Sequence, residues 1–293
     1  MSYIIMTDTS ANLPGRIISR YDIEIIPFHY YIDGKAYALS DSDDFDGDAF
    51  YDRIREGLQV TTSLISPQEY SDYFEPFCKE GKDIIFIAMA AGISGSCNSA
   101  KVAADDLMEE YPERKIAVID AKGASLGEGL IAVYGSEYRS AGLSFEETVE
   151  KLEKHVKCMF QVFTVDDLMH LRRGGRLSNL SAIVGTVLNI KPLLKGSKEG
   201  RIVAFRKIRG RRHSIEALAE KYDKLAVEPE KQIVGIAQAG CRADADYLIS
   251  LLNKNRPPKE ILNVQYEPVT GSHVGPGALA LFFQGGPDVR EEV

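Results

Sequence analysis

One stretch of small polar residues has the composition of an anion-binding site. It reads ISGSCNSA from Ile93 to Ala100, and it follows an apolar run, Ile84–Met89, that is typical of a buried strand. The residues from Val102 onward predict a helix. A strand-to-helix junction presents free backbone N–H groups and the positive end of a helix dipole, so it can hold a carboxylate or phosphate. A cap of Ser and Asn without a ligand is the simpler interpretation of this stretch taken alone.

Polar side chains also accompany other predicted strands. Asp8 follows the apolar strand Tyr3–Thr7, Asp120 ends the strand Lys115–Asp120, and Thr62 lies in a second cluster of small hydroxyl residues. In a mostly parallel sheet, ligands gather beyond the carboxyl ends of the strands. We therefore expect Asp8, Thr62, Ser94 and Asp120 to share one rim, which favours an anion site over a simple helix cap.

The elements that must position these residues follow an α/β pattern. Strands and helices alternate through the first half, which predicts a mostly parallel sheet. A second half begins near Cys158 with the apolar strand Met159–Thr164. A helix then ends at the paired glycines of the segment RRGGR, and an apolar helix is predicted over Leu177–Leu188.

The second half also carries a dense basic run in an otherwise acidic protein of net charge −8. One interpretation is a solvated turn before the predicted helix Ser214–Tyr222. The other is a docking patch for a partner or a phosphate. The residues of this basic run are Arg206, Lys207, Arg209, Arg211 and Arg212.

Composition excludes several classes of function. The net charge of −8 over 293 residues argues against nucleic acid as a partner, and no apolar run is long enough to predict stable membrane insertion. Met1–Met6 predicts a first strand rather than a signal peptide. The four cysteines form no CxxC pair, and the acidic segment 40–48 lacks calcium-loop spacing. We expect a cytoplasmic protein without a metal or cofactor.

Five motifs in register resemble the DegV family of bacterial fatty-acid-binding proteins, which includes the binding subunits of fatty acid kinase. The resemblance runs from about Tyr3 to Phe283, and Asp8-Thr9-Ser10 matches the usual family opening. Family members usually carry Gln-Pro after the Thr-Ser pair, where this chain has Leu64-Ile65. The five motifs are Thr62-Ser63, Ser94–Ser96, Leu171–Ser178, Ile190–Pro192 and His273–Gly277.

The resemblance implies one DegV-like domain over residues 3–283. It would comprise an N-terminal α/β lobe (1–157) with a mostly parallel sheet and a C-terminal α/β lobe (158–284) with a mixed sheet, followed by a mobile tail (285–293). A tunnel between the lobes would hold one long-chain fatty acid. Thr62 and Ser94 would bond its carboxylate, Gly95 would add a backbone N–H, and Arg172 and His273 would close the site.

In such systems a separate ATP-dependent fatty acid kinase phosphorylates the bound carboxyl group, and the binding protein has no catalysis of its own. We expect Arg206, Arg209, Arg211 and Arg212 to help dock that kinase.

A self-sufficient phosphotransferase or hydrolase using the same anion site is the alternative. The sequence shows neither a Walker A motif nor a G-x-S-x-G elbow. Structural roles also stay open: Thr62 as a turn residue, His273 as a capped surface residue, and Arg172 as a cation at a helix C-terminus.

Overall fold

The chain folds around three β-sheets and the helices that cover them. A computed structural model describes residues 2–39, 45–178 and 189–291. The strands are β1 (Tyr3–Asp8), β2 (Ile23–Ile26), β3 (His29–Ile32), β4 (Lys35–Ala38), β5 (Val60–Thr62), β6 (Asp83–Ala88), β7 (Ile116–Asp120), β8 (Met159–Thr164), β9 (Ile190–Gly196), β10 (Ile202–Arg209), β11 (Ile233–Gln238), β12 (Glu260–Gln265) and β13 (Leu279–Gln284). The helices are α1 (Gly15–Tyr21), α2 (Gly47–Arg55), α3 (Pro67–Lys79), α4 (Ser96–Glu110), α5 (Leu126–Ser140), α6 (Phe145–Cys158), α7 (Met169–Arg173), α8 (Arg211–Leu225), α9 (Arg242–Asn255) and α10 (Pro268–Val274).

The N-terminal sheet is parallel and has the strand order β2-β1-β6-β7. Its central strands β1 and β6 are buried along their whole length. Alternate residues of β6 pack into two different cores, with Ile85 and Ile87 on one face and Ile84 and Phe86 on the other. Burial of both faces explains why the strand reads as a continuous apolar run rather than an alternating one.

A small antiparallel sheet of order β4-β3-β5 stands beside it. The hairpin between β3 and β4 turns at Asp33 and Gly34, which have positive φ angles of 51° and 78°. An Asp-Gly pair suits this turn, whose backbone requires left-handed residues. On the other side of β3, Thr62 of β5 pairs with Tyr30.

The C-terminal sheet is mixed and has the order β10-β9-β8-β13-β11-β12. Strands β11 and β12 are parallel, and the other neighbouring pairs are antiparallel. All of its strands follow α6, which ends at Cys158. We propose residue 158 as the division between two lobes, because the chain changes sheet there.

Helix α5 lies between the two large sheets and joins their cores. Leu126 and Leu130 of α5 belong to the same buried cluster as Ile85 of β6 and Phe282 of β13. A glycine of the C-terminal sheet allows this approach: a Cβ atom at Gly235 of β11 would lie 2.8 Å from the Leu126 side chain. One continuous core therefore fixes the relative position of the two sheets.

The prediction of a mobile tail is wrong for residues 285–291. Val289 and Arg290 are buried there. The Arg290 guanidinium donates to the backbone carbonyls of Ala121, Lys122 and Val156, which ties the segment to the loop after β7 and to α6. These bonds satisfy a buried charge, and this explains why a polar segment is held in place.

Two sequence predictions lie partly or wholly outside the described residues. They are the acidic loop, of which residues 40–44 are not described, and the apolar helix over 177–188, of which 179–188 are not described. Among the described residues, no helix has the length and apolar character needed to cross a membrane.

Candidate functional site

A cavity of about 330 Å³ lies between the two large sheets. Much of its wall is apolar and comes from both halves of the chain. Thr62, Ser94, Arg176 and His273 add a compact set of polar groups to this wall. The apolar lining includes Phe28, Met89, Phe163, Leu171, Val269 and Phe282.

Thr62 and His273 form the central contact of this polar set. The Thr62 Oγ1 atom lies 2.9 Å from the His273 Nε2 atom. Thr62 is placed by β5 at the edge of the small sheet, and His273 is placed by α10 in the second half of the chain. The contact confirms that sequence motifs far apart in the chain meet in one place.

Gly174 makes room for the histidine ring. A Cβ atom at Gly174 would lie only 2.6 Å from the His273 Nδ1 atom. Gly174 has a φ angle of −71°, so the requirement for glycine here is one of space and not of backbone conformation. Gly174 therefore serves the position of His273 and does more than end a helix.

Ser94 and Gly95 occupy the junction between β6 and α4, as predicted. The Ser94 Oγ atom lies 3.2 Å from the Ser96 N–H and caps the start of α4. The Gly95 N–H donates to no acceptor among the described residues. Ser94 therefore acts as a helix cap while the Gly95 N–H stays available as a donor. The cap interpretation and the anion-site interpretation of this stretch are compatible.

His273 is neutral at neutral pH. Burial, and then the positive charge of Arg176, lower the pKa of His273 to about 4. A neutral imidazole whose Nε2 carries the proton donates to Thr62 Oγ1, and this leaves the Thr62 hydroxyl proton free for a ligand.

Arg172, the arginine that the resemblance implied for the site, is exposed and does not line the cavity. Arg176 of the same motif does line it. The Arg176 Nε–H donates to the Ile93 carbonyl at 3.2 Å, and a second nitrogen donates to the Gly174 carbonyl. These two bonds hold the guanidinium across the gap between the Ser94 loop and α7.

A polar groove of about 800 Å³ adjoins the cavity at this point. Thr62, Arg176 and His273 line both spaces. His170 and Arg173 line the groove but not the cavity, and neither was predicted as a site residue. The polar end of the cavity is therefore next to a space large enough for a further polar reactant.

Asp120 and Asp8 lie at the carboxyl edge of the parallel sheet, but neither lines the cavity. The Asp120 carboxylate accepts from the Lys122 N–H at 2.9 Å and pairs with the Lys122 ammonium group at 2.8 Å. Asp8 is fully buried and accepts from the backbone N–H of Ser10. Their roles are to fix the loops after β7 and β1.

Asp8 belongs to a buried network that must hold an extra proton. Thr7 Oγ1 lies 2.9 Å from the Ile87 carbonyl oxygen and 2.8 Å from Glu128 Oε1. A hydroxyl has one proton and a carbonyl has none, so the Thr7–Glu128 contact requires a proton from Glu128. Burial raises the pKa of Glu128, and it raises the pKa of Asp8 to about 7. Ser10 Oγ bridges the two carboxyl groups.

Most of the predicted docking arginines are engaged within the protein. The Arg211 Nε–H donates to the Asp244 carboxylate at 2.9 Å, Arg212 pairs with Glu216 at 3.2 Å, and Arg206 lies 3.7 Å from Glu220. Arg209 is exposed, and no carboxylate of the described chain lies within 4 Å of it. Lys207 is likewise exposed and has no such carboxylate, so Lys207 and Arg209 are the members of the basic run without an ion pair in the described part of the chain.

No cluster of His, Cys, Asp and Glu suited to a metal ion occurs in residues 2–39, 45–178 and 189–291. The cavity wall carries hydroxyls, a backbone N–H and an imidazole, together with the cations Lys122, Arg176 and Arg201. Such a set suits an organic anion, because each member donates a hydrogen bond or carries positive charge.

Comparison with known proteins agrees with this geometry. A DegV domain-containing protein from Clostridium perfringens is 34% identical over 289 residues, covering 99% of each chain. The crystal structure of a fatty acid binding DegV family protein from Streptococcus agalactiae matches with a TM-score of 0.85 and 31% identity, covering 98% of this chain and 99% of that one.

A second solved structure is a DegV family protein from Ruminococcus gnavus, refined with vaccenic acid. It has a TM-score of 0.85 and 25% identity, and the match covers 96% of this chain and 99% of that one. The DegV family model itself matches residues 2–285, which include both large sheets and every residue of the cavity wall named above. The chain therefore belongs to the DegV family.

Proposed function

We propose that this protein binds a long-chain fatty acid in the cavity, with the carboxylate at Thr62, Ser94 and Gly95. The observation that carries the proposal is the combination of an apolar cavity of about 330 Å³ with the Thr62–His273 donor pair on its wall. Burial of each methylene group contributes roughly 0.8 kcal/mol, so the acyl chain supplies most of the binding free energy. The vaccenic acid of the Ruminococcus gnavus relative supports the same ligand class.

The donors act on the carboxylate as a relay. His273 Nε2–H donates to Thr62 Oγ1, and the Thr62 hydroxyl then donates to one carboxylate oxygen. The Ser94 hydroxyl and the free Gly95 N–H serve the other oxygen. Arg176 takes the place in closing the site that the resemblance implied for Arg172, because it lines the cavity beside Thr62 and His273 and Arg172 does not.

We further propose that a separate ATP-dependent kinase phosphorylates the bound acid. The polar groove beside Thr62, Arg176 and His273 offers that kinase a route to the carboxyl group. Arg209 would contribute to docking, since its charge is not neutralised by an acidic residue of the described chain. The protein would then carry the acyl phosphate without catalysis of its own. Its four free thiols are typical of the reducing cytoplasm.

The arrangement of Ser94 argues against a self-sufficient hydrolase. A serine nucleophile needs a base within hydrogen-bond distance. The hydrogen bonds of Ser94 run to Ser96, and the Nε2 atom of His273 is paired with Thr62. The hydroxyl is therefore placed as a donor and not as a nucleophile.

Analysis of the purified protein tests this proposal. Solvent extraction followed by mass spectrometry should release one long-chain fatty acid per protein molecule, and the protein alone should turn over neither ATP nor an ester. Turnover of ATP or an ester by the protein alone, with no stoichiometric acid, would show that the enzyme alternative is correct.

A further inference from the structure

Gln161 is a polar residue at a position where the sheet otherwise presents apolar side chains. It lies in β8, whose other residues are Met, Phe, Val, Phe and Thr, and the entire strand is buried. Gln161 and Phe163 line the cavity, whereas Phe160 and Val162 pack into the core on the opposite face of the sheet. An amide buried on an apolar wall costs free energy unless its hydrogen bonds are made.

The Gln161 amide makes one side-chain hydrogen bond of the several it can form. Its Nε2–H donates to the Lys122 carbonyl at 3.1 Å. Because a carbonyl can only accept, this bond fixes which end of the amide is nitrogen and which is oxygen. No donor in the described part of the chain reaches the Gln161 Oε1 atom. The side chain is 93% buried, so an acceptor without a partner is left at the cavity wall.

The neighbouring backbone is shaped to hold this amide. A Cβ atom at Gly123 would lie 2.2 Å from Gln161 Nε2, and one at Gly127 would lie 2.7 Å from Gln161 Cδ. Any larger residue at either position would displace the side chain. Together with the Lys122 carbonyl, the two glycines form a slot that fits the amide and keeps it against the cavity.

This polar position is separate from the carboxylate donors. Gln161 forms no hydrogen bond with Thr62, Ser94, Arg176 or His273, and it is anchored by the loop after β7 instead of the loop after β6. A ligand whose carboxylate is held by the donor set would therefore meet Gln161 along its acyl chain.

We propose that Gln161 makes this cavity selective for fatty acids that carry a hydroxyl group on the acyl chain, with the ligand O–H donating to Gln161 Oε1. This inference rests on the proposed function and specifies its substrate class. A site built to bond a hydroxyl discriminates against the analogue that lacks it, because the buried acceptor is then left unpaired.

The experiment compares palmitic acid with monohydroxy palmitic acids that carry the hydroxyl at successive chain positions. Their dissociation constants for the delipidated wild-type protein are measured by calorimetry. The proposal expects one position, or two adjacent positions, to bind about three- to tenfold more tightly than palmitic acid itself. In Gln161→Leu, which keeps the volume and removes the acceptor, that preference should disappear while palmitic acid still binds.

Three results would overturn the proposed selectivity. The first is a wild-type protein with no preferred hydroxyl position, and the second is the same preference in Gln161→Leu. The third is a variant whose only change is that it binds longer unsubstituted acids. The wild-type series decides the matter even where Gln161→Leu fails to fold. Failure of all the acids to bind wild-type protein would refute the proposed function, and the selectivity with it.

Discussion

Thr62 and His273 contact each other at 2.9 Å although 211 positions separate them in the chain. The contact joins the edge of the small sheet to a short helix of the second half. Each residue depends on the other for its orientation. The imidazole orients the Thr62 hydroxyl, and the hydroxyl oxygen is the hydrogen-bond partner of His273 Nε2. The proposed anion site is therefore a product of the tertiary fold rather than of a local motif.

Removal of the Thr62 hydroxyl should weaken fatty-acid binding. Thr62→Ala deprives the carboxylate of one donor and leaves His273 Nε2–H unpaired, so the loss should be about 1–3 kcal/mol. A fluorescence displacement assay measures it. Thr61→Ala is the matched control, since Thr61 is exposed on the same strand and should change affinity by less than about 0.5 kcal/mol. Equal affinities for the two variants would mean that the carboxylate lies elsewhere.

Gly174→Ala should disturb the site through His273. The added methyl group would lie 2.6 Å from the ring, while the backbone φ of −71° accepts alanine without strain. We expect lower fatty-acid affinity with little change in the thermal unfolding midpoint. Gly286→Ala is the control, because no heavy atom lies within 4 Å of its new methyl group. Unchanged affinity in Gly174→Ala would show that the position of the histidine ring does not matter for binding.

The buried carboxyl pair should make stability fall as pH rises. The pKa of Asp8 is raised to about 7 in the folded protein, against about 3.9 in an unfolded chain. The stabilisation that this proton provides is complete below the unfolded pKa and is lost as pH rises through the folded one. The lowered pKa of His273 makes stability rise with pH, but only below the unfolded pKa of 6.5. Above that pH, the change of stability with pH therefore reports on the carboxyl groups.

Thermal unfolding between about pH 6.5 and 8 tests this expectation. The unfolding midpoint of the wild-type protein should fall across the range, and Asp8→Asn should show a shallower fall because it cannot ionise. Asp105→Asn, an exposed aspartate of α4, provides the control and should keep the wild-type slope. If Asp8→Asn and wild type lose stability in parallel, ionisation of Asp8 does not cause the loss.

Charge reversal at Arg209 should impair phosphorylation by a fatty acid kinase without impairing lipid binding. Arg209 is exposed and lacks a carboxylate partner in the described chain, so the change breaks no internal ion pair. We expect Arg209→Glu to raise the concentration of binding protein needed for half-maximal phosphorylation. Arg16→Glu makes the same charge change on α1 and should have no effect. Parallel loss of lipid binding would point to misfolding instead of docking.

Part of the fold was predictable because burial on both faces leaves a direct record in the sequence. Strand β8 has the bounds that its apolar run predicts, Met159–Thr164. Thr62 and Ser94 could be picked out because hydroxyl residues at strand ends are typical of binding sites. Helix α10 was not predicted, since Pro and Gly in this stretch favour a loop, and Glu267 supplies its N-cap through a carboxylate.

The choice among arginines could not be made from the sequence. Arg172, Arg173 and Arg176 lie within one five-residue segment, and the direction of each side chain depends on where α7 ends. The helix ends at Arg173. Arg176 therefore emerges after the glycines and turns back toward Ile93. Gln161 is recognisable in the sequence as the single amide of an apolar strand. Its importance becomes clear only from the structure, which places it on the cavity wall.

The central claim is that the cavity holds a fatty acid by its carboxylate. Calorimetric titration of the delipidated protein with palmitic acid and with methyl palmitate tests it most directly, because the two ligands share the acyl chain and differ at the group that Thr62, Ser94 and Gly95 would bond. We predict one palmitic acid per protein molecule and binding of the ester at least tenfold weaker. Equal affinity for acid and ester, or no binding of the acid, would contradict it.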